Sequence, residues 1–174
     1  MIVGFHHAGI VVADLDLATR FYCEALGFEV SSEHKWDSAE RGVHDDIIGL
    51  RETAASCRVL KGPNCFLELF QYHEPEPDGD PATRRPCDHG VAHLSFQVTD
   101  IFKVFERFKA AGGAVRRDPV PYGDGHSIYC RDPFGNIIEL MEVSSHEPEF
   151  DLIEAGMLPP PVRQAAQASR QSPR

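Results

Sequence analysis

One pattern occurs twice in this chain, and each copy carries a histidine and a glutamate at matching places. The first copy opens with His7-Ala8-Gly9-Ile10-Val11-Val12, continues through Asp14 and Phe21-Tyr22, and reaches Ala25-Leu26-Gly27. The second opens with His93-Leu94-Ser95-Phe96-Gln97-Val98, continues through Asp100, Phe105 and Phe108, and reaches Ala111-Gly112-Gly113. A shift of 86 positions carries His7 onto His93, Val12 onto Val98 and Asp14 onto Asp100. Each copy then ends in an apolar run with one acid inside it, Phe66-Leu67-Glu68-Leu69-Phe70 and Ile137-Ile138-Glu139-Leu140-Met141. Such a repeat constrains the chain to fold as two copies of one small module. A His–Glu pair brought together by the module is then present twice.

The rest of the chain bounds what the two modules can do. At 174 residues it is long enough to bury a core. With 17 Lys and Arg against 27 Asp and Glu, the net charge of −10 has the wrong sign for a nucleic-acid partner, and no basic stripe offsets it. No apolar run has membrane-spanning length and the start lacks the form of a leader, so the expected location is cytoplasmic, with no membrane partner. Cys23, Cys57, Cys65, Cys87 and Cys130 are odd in number and contain no Cys-x-x-Cys, which fits reduced thiols rather than disulfides or a thiolate zinc site.

Hydrophobic spacing gives the order of elements. Residues 5 to 12 read as a strand, and Asp14 caps a helix whose apolar positions run from Leu15 to Leu26 and which Gly27 stops. A second strand begins at Phe28. Residues 31 to 62 are broken and polar, with Ile47-Ile48 and Arg58-Val59-Leu60 as strand pieces, before the acid-bearing strand 65 to 71. The proline-rich stretch from His73 to Gly90 reads as a surface connection. The second copy repeats the order, with an Asp100-capped helix, strands near Val115 and at 127 to 130, and the turn Asp132-Pro133-Phe134-Gly135-Asn136 into the last strand. The expected division is a first module 1–72, a linker 73–90, a second module 91–145 and a C-terminal tail 146–174. Within that tail Phe150 to Leu158 docks as a short helix and 159 to 174 is disordered. Glu68 follows His7 by 61 residues and Glu139 follows His93 by 46, so the first module carries a 15-residue surplus, located in 31 to 62. Long excursions beside a site commonly shape what binds there.

Strand alternation places the polar residues. Ala8, Ile10 and Val12 belong against the helix, so His7 points to the other, concave face; Leu94, Phe96 and Val98 likewise turn His93, Ser95 and Gln97 outward. Leu67 and Leu69 bracket Glu68, and Ile138 and Leu140 bracket Glu139. Two carboxylates converging in one cup need a cation. The expected metal ligands are therefore His7, Glu68, His93 and Glu139. Two imidazole nitrogens and two carboxylates suit one divalent ion such as Zn, Ni, Co, Mn or Fe, with Mg as a further option. A lone histidine or glutamate in a strand is usually structural; the repetition of the pair lifts these four above that reading. His6 is set aside because alternation sends it to the helix side. His34, His44, His73, His89 and His146 read as solvated loop residues.

These residues resemble the vicinal oxygen chelate superfamily, which includes glyoxalases, extradiol dioxygenases and the bleomycin and fosfomycin resistance proteins. The resemblance covers about residues 4 to 143 and rests on His7-Ala8-Gly9-Ile10, on Phe21-Tyr22 with Leu26-Gly27-Phe28, and on Arg131 to Leu140. It implies an α+β fold of two paired βαβββ modules forming a curved mixed-sheet cup around one metal site. The family's four ligand positions fall on His7, Glu68, His93 and Glu139, as in the glyoxalase I and methylmalonyl-CoA epimerase branch. Glyoxalases place an asparagine four residues after the first acid to hold glutathione; this chain has Tyr72 there, which argues against glutathione. The strand from Leu67 to Tyr72 is also similar to that of relatives acting on cyclitol-type substrates.

The resemblance implies a metal-dependent isomerase, epimerase or lyase that transfers a proton next to a carbonyl of a small chelating substrate. Glu139 and Glu68 are the candidate catalytic carboxylates. Tyr129 and His126 are candidate substrate contacts, against the blander readings of a cup-filling aromatic and a surface histidine. An Fe(II) extradiol-type dioxygenase is one alternative, for which Tyr129 speaks, although such enzymes leave the Glu68 position unused. A drug-binding resistance protein is another, which the full ligand set disfavours. The resemblance further implies a homodimer, with the cup completed within one chain or by module exchange between two.

Overall fold

Apolar residues at helical spacing, a capping aspartate and a left-handed glycine build the first helix as the sequence predicts. In the computed structural model, which describes residues 1–38 and 42–171, α1 spans Leu15–Leu26. Asp14 accepts from the Leu17 amide at its start, and Gly27 ends it at φ 74. Its apolar face buries Phe21 and Tyr22 completely, each contributing roughly 1.5–3 kcal/mol by area removed from water. The strands that it covers are β1 (His7–Val11), β2 (Glu29–Trp36), β3 (Ala54–Lys61) and β4 (Phe66–Glu74). They form one sheet in the order β1-β4-β3-β2, with β1 parallel to β4 and the other pairs antiparallel. This is a βαβββ module.

The second copy gives the same topology. β5 (Leu94–Gln97), α3 (Ile101–Ala110), β6 (Val120–Tyr122), β7 (Gly125–Arg131) and β8 (Ile137–Glu142) assemble as β5-β8-β7-β6, again with the first and last strands parallel. Asp100 caps α3, which buries Ile101, Phe105 and Phe108. At Gly125 an added Cβ would lie 2.0 Å from the Glu142 carbonyl oxygen, so only glycine lets β7 start this close to β8. The whole is α+β, two four-stranded mixed sheets each covered by its helix.

Two compact units result, one of Met1–Cys23 and Gly27–Gly79, the other of Glu24–Leu26 and Asp80–Arg174. β4 runs to Glu74, two residues beyond the expected end of the first module. The proline-rich connection is pinned to its unit rather than lying free, because the Arg131 guanidinium donates to the Pro81 carbonyl at 3.1 Å.

Several local expectations are corrected. Ile47-Ile48 is not a strand but the end of a short helix, α2 (Val43–Ile48), set in the long excursion between β2 and β3. Asp45 accepts from the Glu52 and Thr53 amides and from the Thr53 hydroxyl, closing the loop around that helix. Near Val115 there is only an isolated bridge from Ala114 to Arg131, and the strand is β6 instead. The tail expected to be disordered carries a helix, α4 (Pro160–Gln171), while residues 172–174 lie outside the described residues. Arg170 of α4 meets buried Asp151 at 2.7 Å, and Ser169 meets Thr99 at 2.9 Å. Among the described residues no helix is long and apolar enough to cross a membrane.

Candidate functional site

In the first unit the parallel register sets Gly9 opposite Glu68 and His7 opposite Phe66. With no side chain at Gly9, His7 reaches along the sheet to Glu68, Nε2 to Oε2 at 3.2 Å. The other carboxylate oxygen accepts from the Cys57 thiol at 3.6 Å. Cys57 lies on β3 opposite Phe70, two residues beyond the acid. Burial, reinforced by the neighbouring Glu68 charge, pushes that thiol up to about 12, so it stays protonated and donates to the carboxylate. The remaining imidazole nitrogen of His7, Nδ1, shares a hydrogen bond of 2.8 Å with His6 Nδ1. His6 is thus not on the helix side. β1 begins at His7, so strand alternation does not extend to His6, whose ring stacks on Phe66 at 5.1 Å.

The second unit repeats this with one change of chemistry. His93 Nε2 lies 3.1 Å from Glu139 Oε2, and the Ser127 hydroxyl donates to Glu139 Oε1 at 2.8 Å. Ser127 pairs with Met141, again two residues beyond the acid, so it occupies the place that Cys57 takes in the first unit. His93 Nδ1 is buried and makes no hydrogen bond among the described residues. Tyr129, opposite Glu139 on β7, packs its ring 4.6 Å from His93. Burial and then the Glu139 charge raise its phenol above the usual tyrosine value, keeping it a donor.

His126 does not join this group. Ser127 reaches Glu139, so alternation turns His126 to the helix-covered face, where it lies 3.5 Å from Glu142 and edge-on to Phe102 of α3. That side of the sheet faces away from Glu139, contrary to the expected place for a substrate contact. His44 is exposed as expected but lies on α2 rather than in a loop, and its ring stacks on Trp36 at 4.5 Å with the rings 5° apart.

Each unit therefore presents one His–Glu pair on the face its helix leaves open. Among the described residues no three His, Cys, Asp or Glu side chains gather as a ready-made cluster, so the donors occur as two pairs. The chain matches the Glyoxalase/Bleomycin resistance protein/Dioxygenase superfamily profile over residues 4–140. It is 30% identical over 153 residues to 2-epi-5-epi-valiolone epimerase of an Actinomyces species, covering 84% of this chain and 82% of that one. The chain belongs to this superfamily. A probable lactoylglutathione lyase of Synechocystis is 28% identical, over 80% of this chain and 95% of its own. The crystal structure of a glyoxalase family protein from Bacillus cereus superposes with a TM-score of 0.74 at 22% identity, covering 83% of this chain and 97% of that one, which shows the shared fold. By kinship the chain stands with superfamily members named as epimerases and lyases.

Sequence reading missed Cys57 and Ser127, the second partners of the two acids. Their signal was present: they stand 11 and 12 residues before Glu68 and Glu139. Only the antiparallel registers of β3 and β7 turn that spacing into contact.

Proposed function

We propose that this superfamily member is a divalent-metal-dependent enzyme that moves a proton next to a carbonyl of a small oxygen-chelating substrate. It acts as an epimerase, isomerase or glyoxalase-like lyase. The doubled His–Glu pair carries this reading. An imidazole nitrogen and a carboxylate oxygen that share one ion must stand within about hydrogen-bonding distance of each other. The pairs, at 3.2 and 3.1 Å, fit that spacing. We take the His7–Glu68 and His93–Glu139 pairs as metal ligands, for a divalent ion of Zn, Ni, Co, Mn or Fe type. When bound, such an ion supplies Lewis acidity toward a substrate carbonyl or enolate oxygen.

The chain's own groups supply the rest. Glu68 and Glu139 each keep one oxygen toward an imidazole and the other toward a thiol or hydroxyl donor, so each carboxylate is aimed and ready to accept the substrate's α-proton and return it. The Tyr129 phenol, held protonated, donates to a substrate oxygen. The epimerase and lyase names of the Actinomyces and Synechocystis relatives support proton transfer. The Tyr129 ring beside His93 favours a second reading, an Fe(II) extradiol-type dioxygenase, which oxygen uptake with a catechol would reveal. We take the working form as a homodimer, checked by light scattering.

The test measures metal content after purification without added metal, then exchange of the substrate's α-proton for deuterium. One equivalent per chain is expected, and Glu68→Gln and Glu139→Gln should each slow exchange at least about a hundredfold. If both variants keep full exchange, the reading fails.

A further inference from the structure

We infer that the wall beside Glu68 is an aromatic shelf that selects an uncharged ring substrate, a cyclic hydroxyketone, over a thioester carried on a charged tail. This rests on the reading that Glu68 lies in the active site. Alternation along β4 puts Glu68, Phe70 and Tyr72 on one face. On the same face Trp36 meets Phe70 edge-on at 6.2 Å and Tyr72 edge-on at 6.1 Å, while the Phe70 and Tyr72 rings lie 6.0 Å apart.

The shelf is fixed from behind. The Trp36 indole donates to the Thr53 hydroxyl at 2.9 Å, and His44 of α2 stacks on its face. These supports come from the excursion that makes the first module longer than the second. Trp36 is only 8% exposed, while Phe70 and Tyr72, packed against the Trp36 cluster, are half-buried and so not wholly covered on that face. Ring surface left open beside a catalytic group is the usual lining of a small-molecule site, and it suits the flat C–H face of a ring.

Charge on this face points the same way. β3 contributes Ala55, Cys57 and Val59 opposite the shelf, and its Arg58 turns to the helix side, where it holds Asp16 at 3.0 Å and Glu33 at 2.9 Å. Among the described residues of these strands, the one lysine or arginine on the shelf's face is Lys61, paired with Phe66 at the far end from Tyr72, and His34, on that face opposite Cys57, is engaged with the Ser32 hydroxyl at 3.1 Å. The carboxylates of a glutathione thioester or the phosphates of a coenzyme A thioester would lie on aromatic carbon without a partner.

Trp36 is the chain's single tryptophan, so protein fluorescence reports on the shelf directly. The metal-loaded protein would be titrated with 2-hydroxycyclohexanone, with a cyclic polyol ketone and with an acyl-glutathione thioester. Saturable change in emission is expected for the ring ketones and none for the thioester. Tyr72→Ala should weaken ring binding by about five- to tenfold and Tyr72→Phe by less than twofold, because stacking needs the ring and not the hydroxyl. Circular dichroism would confirm folding, and Phe70→Leu replaces Tyr72→Ala if that variant does not fold. Thioester binding tighter than ring binding, or equal losses in Tyr72→Phe and Tyr72→Ala, overturns the shelf. Deuterium exchange with thioesters only also overturns the shelf and leaves the proton-transfer reading standing. Ring binding without any exchange supports the shelf and refutes that reading.

Discussion

The two His–Glu pairs share a backbone plan and differ in how firmly each member is held. In the second unit the acid is gripped by a hydroxyl at 2.8 Å and its histidine has an idle, buried Nδ1. In the first unit the acid has only a thiol at 3.6 Å, while its histidine is fixed through His6. Exposure differs too: the side chains of His7 and Glu68 are 44% and 27% exposed, against 27% and 15% for His93 and Glu139. One pair is anchored through its carboxylate and the other through its imidazole. A duplicated fold thus conserves where donors stand and leaves the outer hydrogen bonds free to diverge.

Changing the outer partners would sharpen or break this contrast. The largest effect is expected for Ser127→Ala, about a tenfold or greater loss of metal affinity, against less than threefold for Cys57→Ala, read by competition with a chelator. Equal losses would mean that hydroxyl and thiol do the same job. His6→Ala should cost several-fold in affinity by freeing the His7 ring, with His6→Gln recovering part of it. An unchanged affinity in His6→Ala would remove the imidazole anchor from the account.

The smallest effect concerns the tail. Burial alone would raise the Asp151 carboxyl, but donors from Gln97, Arg170 and the Ile153 amide outweigh it and hold it below the usual aspartate value. A folded-state pKa below the unfolded one means that the stabilisation is present above about pH 4 and is lost as pH falls through the folded value. Arg170→Ala should therefore destabilise by roughly 1 kcal/mol at pH 7 and by less at pH 3, measured by urea unfolding. Equal destabilisation at both pH values would show that the pair contributes nothing through its charge.

The two βαβββ copies and the face carrying each His–Glu pair were legible because alternation and capping are local, and the repeat tested each reading twice. What stayed hidden depended on non-local contact or short range. α2 has six residues, too few for a period to show, so Ile47-Ile48 read as strand. His44 needed Trp36 above it, and Cys57 and Ser127 needed a register between strands. His126 was misplaced because its neighbour Ser127, and not the nearby turn, decides its face. α4 was within reach: Pro160 and Pro161 at its start and the run Arg163-Gln164-Ala165-Ala166-Gln167 favour a helix, but its polarity read as disorder.

That helix buries none of its residues. Its attachment rests on contacts near its last turn, Arg170 to Asp151 and Ser169 to Thr99. Asp151 also holds Gln97, whose amide stands on the Glu139 face of β5, and Gln97 in turn accepts from the Leu152 amide. A helix held by so few side-chain contacts belongs to the part of a fold that opens at the lowest free-energy cost. The amides of α4 are accordingly expected to exchange with solvent long before those of β8.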